Sequence, residues 1–396
     1  MKRISKCVFI GCFLLFLLAA MFVTVFSPKS GYSYYENRSL ARPAPLTVES
    51  VLSGEFMKSI SDCMRDHSAW REKALRANTW ANIHILKKPV VNQTVIREDI
   101  LLPYLPYVTV DEEKVAANAL EMTNRIAEAK RITEENGGNY YYMMIPCQYA
   151  YFPEKYPEYL YNSEDLTEAT LKYLKPALAE RSVDVVDMGE IYEAMGNPPE
   201  LSSTIDNHYS LTGAYVAYEA IVEKINETTD FQLELPENIS FHALENSYLG
   251  SRPRKLFNMY GNEEHLLWAD FGEDIPFTRR DNGMGVPATV YAMPENTEEP
   301  VLYGFYMGGD IAETIIDTNR PHLPKVLIYG DSFTNALECL AYYSFDEMRS
   351  LDFRHYSEAT LKEYIEAYQP DIVIFMRDYE SLLAFDGNGI YPHHEE

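Results

Sequence analysis

Positive charge is in short supply along this chain: 34 Lys and Arg stand against 60 Asp and Glu, a formal net charge of −26. No basic block follows the first few residues, which argues against nucleic acid as a partner, because neutralising phosphates requires clustered cations. Cysteine is equally sparse, at five in 396 residues. Cys7 and Cys12 fall in an apolar run, so Cys63, Cys147 and Cys339 remain, an odd set too small for a disulfide framework. At most one pair can close, and each reads as a small buried apolar residue. There is no phosphate loop, no dinucleotide fingerprint and no zinc motif. His67, His322, His355, His393 and His394 lack ligand spacing with other donors, so neither a metal nor a cofactor is expected. Repeats and low-complexity tracts are absent as well.

What is present is apolar and aromatic. The hydrophobic share is 46% and the aromatic share 13%, with 31 Tyr, enough to offset the entropy of ordering a chain this long. Residues 7–26 form one apolar run about as long as the roughly 20 residues a bilayer-spanning helix needs. Lys2, Arg3 and Lys6 precede it, so the positive-inside rule keeps residues 1–6 in the cytoplasm and sends the rest outside. A retained signal anchor is the reading adopted; a cleavable signal is its rival, although no clean small-x-small site follows the run.

Residues 27–50 are polar and rich in Tyr, Ser, Pro and Arg, which reads as a stalk. From 51 to 86, Phe56, Ile60, Met64, Trp70, Leu75, Trp80 and Ile83 recur at mostly helical spacing. Residues 95–102 suggest a hairpin. Thr109 and Glu112 spell a capping box, and Val115, Ala119, Met122, Ile126 and Ala129 keep one helical face apolar until Gly137-Gly138. Residues 140–146 then form a run fit for a strand buried on both faces. A second helix is expected over 163–181 and a strand over 183–188, followed by a loop at Asp206-Asn207-His208-Tyr209-Ser210 and a helix over 212–226. Residues 230–320 read as a β-rich insertion, with strands at 289–293 and 301–307. A core strand at 325–329, a helix from about 334, a helix over 357–368 and a strand over 371–376 complete an alternation that implies a mostly parallel sheet covered by helices.

Chemistry concentrates in two places. At Gly330-Asp331-Ser332 a buried strand ends and the chain turns into a helix, at the sheet edge where doubly wound folds bind ligands. Amides at that helix start can hold an oxyanion, whereas the plainer role for Ser332 is a helix cap. Asp206-x-His208 supplies the imidazole that a serine hydroxyl needs at neutral pH and a carboxylate to fix its tautomer. The plainer reading of that pair is a satisfied polar turn. Gly308 and Gly309 let backbone amides approach a bound acyl oxygen, or simply make a turn. Arg354 can pair with Asp352 or with a substrate carboxylate. The Tyr-rich stretches at 140–142 and 149–161 can stack on sugars, though core packing accounts for most of them.

Four pieces of sequence resemble the DHHW family and its SGNH-like relatives, the alginate O-acetyltransferases and the D-alanine transfer protein of teichoic-acid modification. They are Asp66-His67 through Arg71, then Thr204-Ile205-Asp206-Asn207-His208-Tyr209 with Gly213-Ala214-Tyr215, then Tyr306-Met307-Gly308-Gly309-Asp310, and Gly330-Asp331-Ser332-Phe333 with Leu351-Asp352-Phe353-Arg354. The resemblance implies a triad of Asp206, His208 and Ser332. The family's signature reads DNHY here: Asn207 replaces His and Tyr209 replaces Trp, which alters the wall beside His208 and bears on acceptor preference. Asp and His also precede the serine, an order shared with the alginate-type enzymes and reversed in ordinary SGNH esterases.

The expectation is therefore an α/β, SGNH-hydrolase-like three-layer sandwich with a mostly parallel sheet, a β-rich insertion at about 230–320 and an N-terminal transmembrane helix. The extracytoplasmic domain would span 51–396. The implied activity is an O-acyltransferase acetylating a cell-surface polysaccharide through acyl-Ser332, with Gly308, Gly309, Tyr209 and Arg354 at the substrate. A multi-spanning membrane O-acyltransferase is the implied partner, since acetyl donors are cytoplasmic. The rivals are a carbohydrate esterase using the same three residues and a non-catalytic polysaccharide-binding scaffold.

Overall fold

The computed structural model describes residues 2–26, 30–36, 38–68, 70–160, 164–260 and 263–387. Parts of the expected stalk (27–29 and 37), the expected helix start at 163, Tyr161, His393 and His394 lie outside the described residues. The chain divides into two compact units, one of residues 1–96 with 252–260 and one of 97–251 with 261–396.

The first unit begins with α1 (Lys2–Phe26), in which Lys6–Phe26 is long and apolar enough to cross a membrane. Two further helices, α2 (Glu55–Asp66) and α3 (Arg71–Trp80), realise the helical periodicity of 51–86. Asp66 ends α2 buried, and both Arg38 guanidinium nitrogens donate to it, at 2.7 and 2.8 Å. With a third bond from the Ala41 amide, Arg38 holds this carboxyl well below the usual carboxylate range. Arg71 is engaged in the same way by Glu36, at 2.5 and 2.9 Å. The motif from Asp66 to Arg71 thus clasps the segment that follows α1. Strands Val90–Val91 and Thr94–Ile96 pair as a hairpin, whose turn residues Asn92 and Gln93 take left-handed φ of 48° and 60°. The hairpin expected over 95–102 is present as well: its turn is closed by the Arg97 amide on the Ile100 carbonyl, and the strand Leu101–Pro103 follows.

The second unit is built on one eight-stranded sheet. In chain order its strands are β1 (Asn139–Ile145), β2 (Asp184–Asp187), β3 (Thr278–Asp281), β4 (Met284–Val286), β5 (Glu313–Asp317), β6 (Val326–Tyr329), β7 (Glu347–Leu351) and β8 (Ile372–Asp378). Across the sheet they run β4-β3-β5-β7-β6-β8-β1-β2. The five from β7 to β2 are mutually parallel, and β5, β3 and β4 extend the sheet as an antiparallel edge. Parallel strands need crossovers and so lie under helices on both faces, which is why β1, β6 and β8 read as unbroken apolar runs.

On one face lie α4 (Glu112–Glu135), α5 (Glu164–Glu180) and α8 (Leu361–Tyr368). They pack Met122, Ile126, Leu174, Leu178 and Ile365 against Tyr140, Tyr142, Leu327, Val373 and Phe375. Strand period two turns Tyr141 to the other face, where its hydroxyl meets Thr228 of α6 (Leu211–Thr228) at 2.7 Å, and α6 in turn packs on α7 (Thr334–Ala341). The layers are helix, sheet, helix. Asp111, and not Thr109, caps α4: its carboxylate accepts from the Lys114 amide at 3.1 Å.

Within 230–320 the strands differ from expectation. Residues 289–293 and 301–307 are not strands; they carry isolated bridges, Tyr291 to Tyr306 and Tyr248 to Val301, and a short 3₁₀ turn at Tyr303–Phe305. The segment is β-structured elsewhere, in the pair Ser240–Ala243 with Leu267–Asp270 and in β3, β4 and β5. Cys63, Cys147 and Cys339 are buried and unpaired, and burial pushes the Cys147 and Cys339 thiols far up.

Candidate active site

The site forms at the carboxyl end of β6, flanked by β7 and β8. After Tyr329, Gly330 passes so close to β8 that a Cβ there would sit 2.5 Å from the Met376 carbonyl oxygen, so only glycine fits. The chain then turns, with the Phe333 amide donating to the Asp331 carboxylate at 3.0 Å and the Thr334 amide to the Asp331 carbonyl at 3.0 Å. Ser332 is left half-buried at the start of α7.

The Asp206 loop reaches this turn from the strand-free stretch before α6. It is pinned at both ends: Ser202 bridges Tyr209, and the Ser210 amide donates to the Leu201 carbonyl at 3.0 Å. The Ser210 side chain caps α6 by accepting from the Gly213 amide. Between these ties, Asp206 (3% exposed) and His208 (8% exposed) are buried.

Three side chains from segments 124 residues apart then meet in line. The Asp206 carboxylate lies 2.5 Å from His208 Nδ1, and His208 Nε2 lies 2.8 Å from Ser332 Oγ. Asp206 is itself held by two backbone amides, that of His208 at 3.2 Å and that of Ser251 at 2.5 Å. With Nδ1 carrying the proton toward Asp206, Nε2 is left as the acceptor for the serine hydroxyl. The His208 ring lies flat on Tyr303, with centroids 3.6 Å apart and planes 5° apart, and Phe333 tilts against it at 4.8 Å. Sequence reasoning missed Tyr303, one aromatic among many in its segment, and the Ser251 amide, a backbone donor with no side-chain signature.

The remaining expected residues are reached through short chains of bonds. The Tyr209 hydroxyl donates to the Phe333 carbonyl at 2.7 Å, tying the His208 loop to the Ser332 turn. Met307, Gly308 and Gly309 all have left-handed φ, 57°, 81° and 102°, and the Gly309 amide closes a turn onto the Tyr306 carbonyl. This turn delivers Asp310, which accepts from Asn335 on α7 and from Arg354, both at 3.1 Å. Arg354 also pairs with Asp352 at 2.6 Å. Asp310, Asp352 and His355 cluster closely enough to suggest a cation site, yet the Arg354 guanidinium already bonds both carboxylates.

No family model matches this sequence, and no curated protein does at a significant level. Solved structures do. PatB1 of Bacillus cereus, in its structure with a sulfonyl adduct, superposes with a TM-score of 0.61 at 18% identity, over 73% of this chain and 95% of that one. A DHHW family protein from Eubacterium siraeum DSM 15702 gives a TM-score of 0.55 at 18% identity, over 76% of this chain and 95% of its own. The chain has the fold of that DHHW protein. A looser likeness, with a TM-score of 0.46 at 13% identity, is to the O-acetyltransferase domain of Pseudomonas putida AlgJ, covering 74% of this chain and 93% of that domain. In fold the chain is thus an α/β sandwich with a mostly parallel sheet, like PatB1 and that DHHW protein.

Proposed function

We propose that the chain is a serine O-acyltransferase, anchored by α1 with its second unit outside the membrane, that acetylates a cell-surface polysaccharide. The observation that carries the proposal is the unbroken contact Asp206–His208–Ser332, at 2.5 and 2.8 Å, at the carboxyl edge of a parallel sheet. His208 Nε2 takes the Ser332 proton as Oγ attacks the acyl carbon of the donor. The imidazolium, steadied by Asp206, returns that proton to the leaving group, which leaves acyl-Ser332. A sugar hydroxyl then gives its proton to His208 and attacks the acyl carbon; the ester passes to the sugar, and Ser332 recovers a proton from His208. The Phe333 and Thr334 amides are already spent on Asp331, so the N–H of Ser332 and that of Gly308 are the candidate donors to the oxyanion. Gly309, Tyr209 and Arg354 would shape the substrate side. With acetyl donors in the cytoplasm, a multi-spanning membrane O-acyltransferase would hand the acetyl group across.

PatB1 has been solved with a sulfonyl adduct, and a sulfonyl fluoride is the direct probe here. Mass spectrometry of the full chain after treatment should find one sulfonyl group on Ser332, and none in Ser332→Ala. An activated acetyl ester with an oligosaccharide should give acetylated sugar, at a rate at least about 10³-fold lower in His208→Ala. Free acetate alone would make the chain an esterase, and no adduct together with no turnover would make it a scaffold.

A further inference from the structure

Beside Ser332 lies a cavity of about 260 Å³ whose wall shares His208 and Tyr209 with the proposed site. Its wall includes His208 and Tyr303 but not Ser332, Gly308, Gly309 or Arg354. Three residues of that wall, Ser202, Tyr248 and Tyr303, have buried hydroxyls without a protein hydrogen-bond partner. Ser202 (5% exposed) and Tyr248 (4% exposed) are interior residues. Buried hydroxyls are ordinarily satisfied, so three orphans around one void point to an occupant that supplies their partners. Burial pushes both tyrosine hydroxyls well up, so they stay neutral and can each donate and accept.

The chemistry of that occupant can be narrowed. The wall carries three carboxylates, Glu200, Glu263 and Glu264, and neither lysine nor arginine, which disfavours an anion. Glu264 accepts from the Thr204 amide and hydroxyl, at 3.0 and 2.9 Å, so it is fixed and not free to swing away. Tyr209 and Tyr306 add aromatic surface suited to the C–H face of a ring. At ~30 Å³ per water the void corresponds to roughly eight waters, or one sugar ring in their place.

We infer that this cavity is a binding subsite for a neutral, hydroxyl-rich unit of monosaccharide size, gripped by Ser202, Tyr248 and Tyr303. The inference rests on reading Ser332 as the nucleophile of transfer to a sugar, and the unit held is a neighbour of the one acylated. The Tyr303 ring lies against His208, so filling the cavity presses on the imidazole's stacking partner and tells the triad that polymer is bound.

The test is calorimetric titration of the full chain in detergent, carrying Ser332→Ala so that nothing turns over. The probes are a neutral N-acetylglucosamine tetramer and a galacturonate tetramer. The neutral probe should bind at least about tenfold more tightly than the uronate, and adding Ser202→Ala with Tyr248→Phe should weaken it about tenfold, as expected for two lost hydrogen bonds. Hydrogen exchange should slow at residues 244–249 when the neutral probe is present. No binding of the neutral tetramer, equal affinity of the two probes, or affinity unchanged by the double substitution with no protection at 244–249, overturns the inference and leaves a water-filled void. Sulfonyl labelling of Ser332 in the unsubstituted chain reports separately. If labelling fails while Tyr248-dependent binding persists, the acyl-transfer reading falls and the subsite stands.

Discussion

Behind Ser332, the carboxyls of Asp331 and Asp378 compete for one hydroxyl. Ser381 Oγ lies 3.2 Å from Asp331 and 2.8 Å from Asp378, and it has a single proton to give. Arg377 sits 3.7 Å from Asp331, and the Glu380 amide donates to Asp378 at 2.7 Å. Burial first, then the Asp331 charge, push the Asp378 carboxyl up to about 7 from an ordinary 3.8. The folded chain therefore holds a proton that the unfolded chain releases between about pH 4 and 7. Stability falls as pH rises through that window and levels off above it. Asp378→Asn should remove this loss: scanning calorimetry should show a Tm above that of the unsubstituted chain at pH 8.5 and within about 2 °C of it at pH 5. A difference equal at both pH values would mean that Asp378 is not the group titrating.

At the scale of elements, the His208 loop owes its position to how α6 starts. A Cβ on Gly213 would lie 2.2 Å from the Leu201 carbonyl oxygen, a contact no side chain makes. Gly213→Ala should push α6 off that carbonyl, lowering stability by about 1–3 kcal/mol in urea unfolding and slowing sulfonylation of Ser332 at least about tenfold. If the labelling rate holds while stability drops, the loop is positioned by something other than this contact. Much at this scale was legible in the sequence. Apolar period marked α4, α5 and α6, and continuous apolar runs marked β1, β6 and β8, because elements covered on one stripe or on both faces leave that trace. Asp206-x-His208 and Gly330-Asp331-Ser332 could be named, since the residue types themselves limit the chemistry. The strands expected at 289–293 and 301–307 were misread because Tyr291, Phe305 and Tyr306 have strand propensity but pack on one another as a cluster of rings. The cap of α4 was displaced from Thr109 to Asp111 because two competent caps stand two residues apart, and only backbone geometry chooses between them.

For the whole molecule, the net charge conceals a partition. Residues 1–96 with 252–260 hold sixteen Lys and Arg against six Asp and Glu, a balance of +10; the second unit holds eighteen against fifty-four, a balance of −36. The unit carrying the triad therefore repels polyanions, and salt should relieve that repulsion. Between about 50 and 500 mM salt the screening length shrinks from about 14 to about 4 Å. Over that range kcat/KM for acetylating a uronate oligomer should climb several-fold, while that for a neutral oligomer stays level. A flat response for both would show that the acidic field does not reach the acceptor.

The place of β6 between β7 and β8 also bears on timing. Both neighbours, and the Met376 carbonyl and Leu351 carbonyl that flank Gly330, are made after Ser332. A polypeptide still emerging from the ribosome can thus contain Asp206, His208 and Ser332 and yet lack the strands that flank Ser332. On the proposed reading Ser332 becomes reactive only after β8 has been made, so a product truncated before residue 372 stays chemically silent.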